Sequence, residues 1–183
     1  DVQTATSLYG RELVADILRP LHRLVPADLL GRLMLQPWLS RRCNRIGKRS
    51  QIHPTAILEG CVVGDDVEIG PFAYLRLSVV ADGAVITERS SIKASYVGEG
   101  SYVMGSNVVN SYVGAETAIF GPMLYHVVFG ERGLLSGGSG FADFILGAGS
   151  IVASIDGEDV DSRLQFLGSA VGDDCFIGAN MIF

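Results

Sequence analysis

The stretch "VVGDDVEIG", residues 62–70, has neither the apolar stripe of an amphipathic helix nor the clean alternation of a half-buried strand. It runs aliphatic, Gly, polar pair, Val, and six positions after Val63 an aliphatic residue and Gly return. The same start recurs as "IGKRS" at 46, "VADGA" at 80, "VGEGS" at 97, "VGAET" at 113, "FGERG" at 129, "LGAGS" at 146 and "VGDDC" at 171. The intervals are equal except for three. Those opening at 97 and 113 fall one position short, and the last, from 146 to 171, is half as long again. Within each interval a large apolar residue returns in steps of six, six and four or five: Val63, Ile69, Leu75; Val80, Ile86, Ile92; Val97, Val103, Val109; Val113, Ile119, Tyr125. A six-residue step inside a fixed longer period is the signature of a parallel β-helix. Each coil has three short sides with one inward apolar side chain per side. A single coil cannot bury that face alone, so coils stack.

The pattern predicts an all-β parallel β-helix of about eight coils over residues 46–183. Val63, Val80, Val97, Val113, Phe129, Leu146 and Val171 should form one buried ladder. The residue four positions after each start (Ser50, Val67, Ala84, Ser101, Thr117, Ser150, Cys175) suits a tight inner corner. The long last interval implies an excursion. The step from Val152 to Phe166 is more than twice the six expected, so about eight residues, around "IDGEDVDSR", leave the coil as a loop. Loops carried on rigid scaffolds often carry function, and surface insertions are also tolerated without one.

Residues 1–45 read differently. Leu13, Ile17 and Leu21, then Leu29, Leu30, Leu33 and Met34, follow helical spacing. Pro20 ends or kinks the first helix, and Pro26 suits the first turn of a second. This helical segment is expected to link to, or cap, the first coil. It is also where the positive charge lies. Residues 1–49 hold nine Arg or Lys and four acids, net +5; residues 50–183 hold five and sixteen, net −11. The cluster Arg41, Arg42, Arg45, Lys48 and Arg49 could meet phosphate, membrane or nucleic acid, or a neighbouring subunit's acidic body, or simply solvent. The acidic body argues against a nucleic-acid partner.

No apolar run reaches the ~18 residues of a membrane span, and no signal segment is evident. Cys43, Cys61 and Cys175 are odd in number and form no CxxC pair, as expected of reduced thiols in a cytoplasmic protein. The chain begins at Asp1 and stops at "GANMIF" inside the repeat, as a piece of a longer protein would.

In a stacked solenoid, equivalent positions form ladders about 4.8 Å apart. The residue after each third-side apolar position gives Glu59, Arg76, Lys93, Asn110, His126 and Ala142 along one edge. Arg76 and Lys93 as neighbours repel. An anion between them relieves that, and phosphate suits both donors; the alternative is two side chains splayed into water. His126, beside Asn110, could act as a general base toward an amine or hydroxyl, or be merely an exposed histidine. The zinc sites of some β-helix enzymes need three His ligands from adjoining coils. Only His53 and His126 lie on the coils, more than four coils apart, so no metal is expected.

Residues 46–183 resemble the hexapeptide-repeat transferases, most strongly the C-terminal domain of bifunctional sugar-1-phosphate nucleotidylyltransferase/acetyltransferases. "GPFAYLR" followed one coil later by "IK" resembles that family's sugar-phosphate-binding pair, falling on Arg76 and Lys93. "SYVGAET" resembles the segment bearing a substrate-binding Tyr, here Tyr112. "GAGSIVASIDG" and "VGDDCFIGAN" resemble coenzyme A-contacting stretches, placing contacts at Ala148 and Ala179. The resemblance implies a left-handed helix, a homotrimer with sites between subunits, acetyl-coenzyme A as co-substrate and a sugar-phosphate acceptor. His126 would then be the catalytic base, with Asn110 and Tyr112 orienting the acceptor. The departures lie at the transfer end. The family's catalytic His falls on Val109, the Asn and Tyr of its "NYDG" fall on Ser154 and Ile155, and a Lys beyond falls on Val160. The alternative is a non-catalytic trimerisation or regulatory domain of a sugar nucleotidylyltransferase. Nucleotidylyl transfer itself is not expected of this chain, which lacks the Gly-rich nucleotide loop.

Overall fold

The computed structural model describes residues 43–144, 149–155 and 157–183. Residues 1–42, which hold almost all of the expected helical segment, lie outside that range. Within it the chain is an all-β parallel solenoid. Short strands fall on three faces. The first and second faces each stack seven strands, and the third stacks six. That makes six complete turns and two sides of a seventh, fewer than the eight coils expected. Gly140 and Ile182 form a lone parallel bridge where the seventh turn would place its third strand.

The first face carries the expected ladder: Val63, Val80, Val97, Val113 and Phe129 are buried on consecutive rungs. Leu146 lies outside the described residues. Phe129 pairs directly with Val171 and Leu135 with Ile177, so no further rung lies between them. The departing chain is larger than the eight-residue loop expected. It includes an antiparallel hairpin, Val152–Ile155 with Glu158–Asp161. A parallel stack has no rung for a strand running the opposite way, so this pair stands outside the coil. Ser150, expected at an inner corner, belongs to this excursion, where its hydroxyl donates to Asp161.

Register on the third face also departs from expectation. The inward residues of the two shorter coils are Val108 and Leu124, fully buried, and not Val109 and Tyr125. The missing residue is dropped at the corner between the second and third faces, where Gly105 (φ 58°) and the Gly121–Pro122 pair make the tighter turn. The last step of the coil therefore keeps its usual length. Elsewhere the spacing demands glycine outright: a Cβ on Gly114 would sit 2.5 Å from the Gly130 carbonyl carbon of the next coil.

Inner corners behind the third face hold a column of buried serines. The Ser78 hydroxyl donates to the Arg76 carbonyl (2.8 Å), Ser95 to Lys93 (2.7 Å) and Ser111 to Val109 (2.8 Å). Each hydroxyl accepts from the backbone N–H one coil on: Ser95, Ser111 and Val127. Buried polar groups are tolerated only when bonded in this way. The column also pins the backbone of the edge that carries the chemically interesting side chains. Among the described residues no helix is long and apolar enough to cross a membrane.

Candidate functional site

The shift in register splits the expected polar row in two. Glu59, Arg76 and Lys93 are true ladder partners at the end of consecutive third-face strands, and the same position continues as Val109 and Tyr125. Asn110 and His126 stand one residue further, at the corner leading to the first face. That corner needs a left-handed backbone. Gly60, Leu77, Ala94, Asn110 and His126 occupy it on successive coils, with φ between 47° and 65°. Asn and His tolerate this conformation better than most residues, and the sequence places them on adjacent rungs.

The lower half of the edge is a cluster of one carboxylate and two cations. Glu59 is 6% exposed. It accepts a hydrogen bond from the Tyr74 hydroxyl (2.8 Å) and lies 3.9 Å from the Arg76 Nε. Burial, and then the bond to Glu59, holds the Tyr74 phenol above its ordinary pKa, so it stays a neutral donor. Lys93 Nζ sits 5.6 Å from the centroid of the Tyr74 ring, within cation–π range. Arg76 and Lys93 do stand on adjacent rungs, but Glu59 already supplies a counter-charge. One acid against two cations leaves the cluster a net +1.

The upper half is a hydrogen-bonded chain. Asn110 Nδ2 is 3.0 Å from His126 Nε2, and His126 Nδ1 bonds the Asp143 carboxylate. Asp143 is 5% exposed, while the imidazole is partly open to solvent. A carboxylate at Nδ1 accepts a hydrogen bond from the N–H on that side, so the ring proton stays on Nδ1 and the Nε2 lone pair is left for Asn110 or an incoming proton. Asp143 is absent from the row read off the sequence. The signal was present: it follows His126 by one coil length, as His126 follows Asn110.

The remaining expected residues lie elsewhere. Tyr112 is two positions past Asn110, around the corner on the first face, where its ring stacks on Tyr96 at 5.0 Å and 6°. Ala179 is exposed on the turn after Phe176–Ile177, at the corner between the second and third faces, so one chain does not bring it to His126. Ala148 lies outside the described residues. The base of the excursion, in contrast, packs beside the imidazole. Leu167 N–H donates to the Asp143 carbonyl (2.8 Å), and the Phe166 ring centroid is 6.5 Å from that of His126. Among the described residues no three His, Cys, Asp or Glu side chains gather as a metal site would require.

No protein-family profile matches the chain. No curated protein matches it in sequence. Among solved structures it is similar to the UDP-N-acetylglucosamine acyltransferase of Francisella novicida, at 17% identity and a TM-score of 0.31, over 55% of this chain and 55% of that one.

Proposed function

We propose that this solenoid is an acyltransferase in which His126 takes the proton from an amine or hydroxyl acceptor. The observation that carries this reading is the chain Asn110–His126–Asp143. A buried carboxylate fixes the tautomer of a solvent-reachable imidazole, the arrangement a general base needs. The acceptor would approach Nε2 and displace the Asn110 amide, which is then free to orient it. As Nε2 takes the proton, the acceptor's lone pair adds to the carbonyl carbon of an acyl thioester. Collapse of the tetrahedral adduct breaks the C–S bond, and the imidazolium returns the proton to the departing thiolate.

The acceptor we favour is a phosphorylated sugar, on the resemblance to the sugar-phosphate acetyltransferases. Arg76 and Lys93 would meet its phosphate two coils and one coil before Asn110, so the anion and the acceptor atom would lie about 10 Å apart along the edge. Acetyl-coenzyme A is the simplest donor. Its contact at Ala179 would have to come from a neighbouring copy in a homotrimer, because Ala179 is on a different edge from His126; the contact at Ala148 rests on the resemblance alone. Tyr112 would then act at a subunit boundary and not on its own chain's imidazole.

The test is a paired measurement on the wild type and His126→Ala. Hexosamine phosphates are titrated calorimetrically, and acetyl-coenzyme A turnover is followed by thiol release. His126→Ala should bind the sugar phosphate as the wild type does and turn over about 10²–10⁴-fold more slowly. Turnover unchanged in His126→Ala removes the base assignment. Binding without turnover in the wild type favours a non-catalytic regulatory or trimerisation domain.

A further inference from the structure

Beyond the base, the edge changes character at the histidine. The ladder position that is charged on three coils (Glu59, Arg76, Lys93) becomes apolar at Val109 and Tyr125, alongside Asn110 and His126. One coil further, the excursion adds two phenylalanines that no coil buries: Phe166, read from the repeat as a coil position, stands outside the stack. Phe144 leaves the last third-face strand and Phe166 returns to it, and the two pair in an antiparallel bridge. Their rings are 6.5 Å apart, and Phe166 is 6.5 Å from the imidazole of His126. Both are large apolar side chains, yet they are 52% and 57% exposed.

Their position is held firmly. The bond from Leu167 to the Asp143 carbonyl ties the returning strand to the carboxylate partner of the base. Gly168 approaches the His126 carbonyl so closely that no Cβ could be accommodated there. Phe166 is thus anchored between Asp143 and the backbone of His126, with its ring left open to solvent. A chain that leaves its coil for a hairpin and returns to set an uncovered aromatic ring beside a base gains nothing in core burial from that ring.

We propose that Phe166, backed by Phe144, is a specificity-determining wall that receives the carbon chain of the transferred acyl group and favours groups longer than acetyl. This rests on the acyl-transfer reading above. The acyl carbonyl must reach an acceptor atom that is itself within hydrogen-bond reach of Nε2, so the carbons behind it run beside the imidazole. The polar end of the edge, at Lys93 and Arg76, belongs to the other substrate. What remains beside His126 is the face made by Phe166, Phe144, Val109 and Tyr125. Hydrocarbon laid on it leaves water, as do both rings.

The test is a chain-length series: acetyl-, butyryl-, hexanoyl- and octanoyl-coenzyme A titrated calorimetrically, and their turnover with glucosamine phosphate read by thiol release. Binding should tighten by about fourfold for each methylene from acetyl to butyryl and level off by octanoyl. Phe166→Ala should bring the butyryl-to-acetyl ratio from about 16-fold toward one, and Phe166→Leu should keep most of it. A wild-type ratio of one, or a ratio untouched by both Phe166→Ala and Phe144→Ala, overturns the proposal. The wild-type series requires no variant to fold. Turnover that ignores chain length overturns the wall and leaves acyl transfer standing. Graded binding that Phe166→Ala abolishes, without any turnover, keeps the wall and removes acyl transfer. Flat binding without turnover overturns both.

Discussion

The two halves of the third-face edge are built on the same backbone and the same column of serines, yet they manage charge in opposite ways. On the lower coils, Glu59, Arg76 and Lys93 occupy the last strand position, where a buried carboxylate and a tyrosine ring offset two cations. On the upper coils, polarity moves one residue on to the left-handed corner, where Asn110, His126 and Asp143 bond in sequence and the strand position turns apolar. A one-residue displacement thus separates a static ion cluster from an imidazole whose tautomer is fixed by Asp143 and whose Nε2 meets the Asn110 amide. In a solenoid the rung spacing is constant, so side-chain choice and register are the variables left to tune a site.

The sharpest way to break this contrast is at Asp143. Asp143→Asn keeps the shape but offers an amide to Nδ1, so the ring can place its proton on Nε2 and lose its basic face. Turnover should fall by roughly 10²–10⁴ with sugar-phosphate binding unchanged. A loss of binding with turnover per bound complex preserved would show that the upper edge holds substrate and does not move protons.

The lower edge should respond in the other way. Arg76→Ala removes charge-assisted hydrogen bonds worth ~1.5–3 kcal/mol, weakening phosphate binding about 10- to 100-fold. Glu59→Gln should strengthen it, because the neutral amide no longer competes for Arg76. If Glu59→Gln weakens anion binding instead, the cluster serves packing and the phosphate lies elsewhere.

Ser95 tests whether the shared scaffold matters equally to both halves. Its hydroxyl donates to the Lys93 carbonyl and accepts from Ser111 N–H, so Ser95→Ala leaves the buried Ser111 N–H unpaired at a cost of about 1–3 kcal/mol. Urea unfolding should show that loss with the rate per folded molecule little changed.

The smallest effect is at the acidic corner between the first and second faces. Bonds from Arg49 and Arg132 hold Asp66 and Asp174 below the ordinary carboxylate pKa. A depressed folded value contributes stability above the unfolded pKa of about 3.9, and that contribution is lost as pH falls through the lower folded value. The melting temperature of the wild type should therefore fall more steeply below about pH 4 than that of an Asp66→Asn, Asp174→Asn double variant. Both carboxylates are exposed, so salt should blunt the difference.

The sequence by itself determined the solenoid, its three faces, the first-face ladder, and the presence of an excursion near "IDGEDVDSR". Each is written in the spacing of apolar residues, because every coil must bury the same small set of side chains against its neighbours. It also brought Asn110 and His126 to adjacent rungs, since the interval between them is a whole coil. Only the tertiary structure decided the rest. Apolar residues stand at both 108 and 109, and at both 124 and 125, so periodicity alone could not choose which points inward. That choice depends on which corner absorbs the missing residue, and Gly105 and Gly121–Pro122 make it. "LGAGS" has the look of a coil start, yet Phe129 stacks on Val171. A local pattern cannot reveal which strand its neighbour has already paired with. Phe166 reaches His126 for the same reason: its place is set by hydrogen bonds and packing of a returning segment that belongs to no coil, whereas Asp143 follows His126 by one coil and was legible in the repeat.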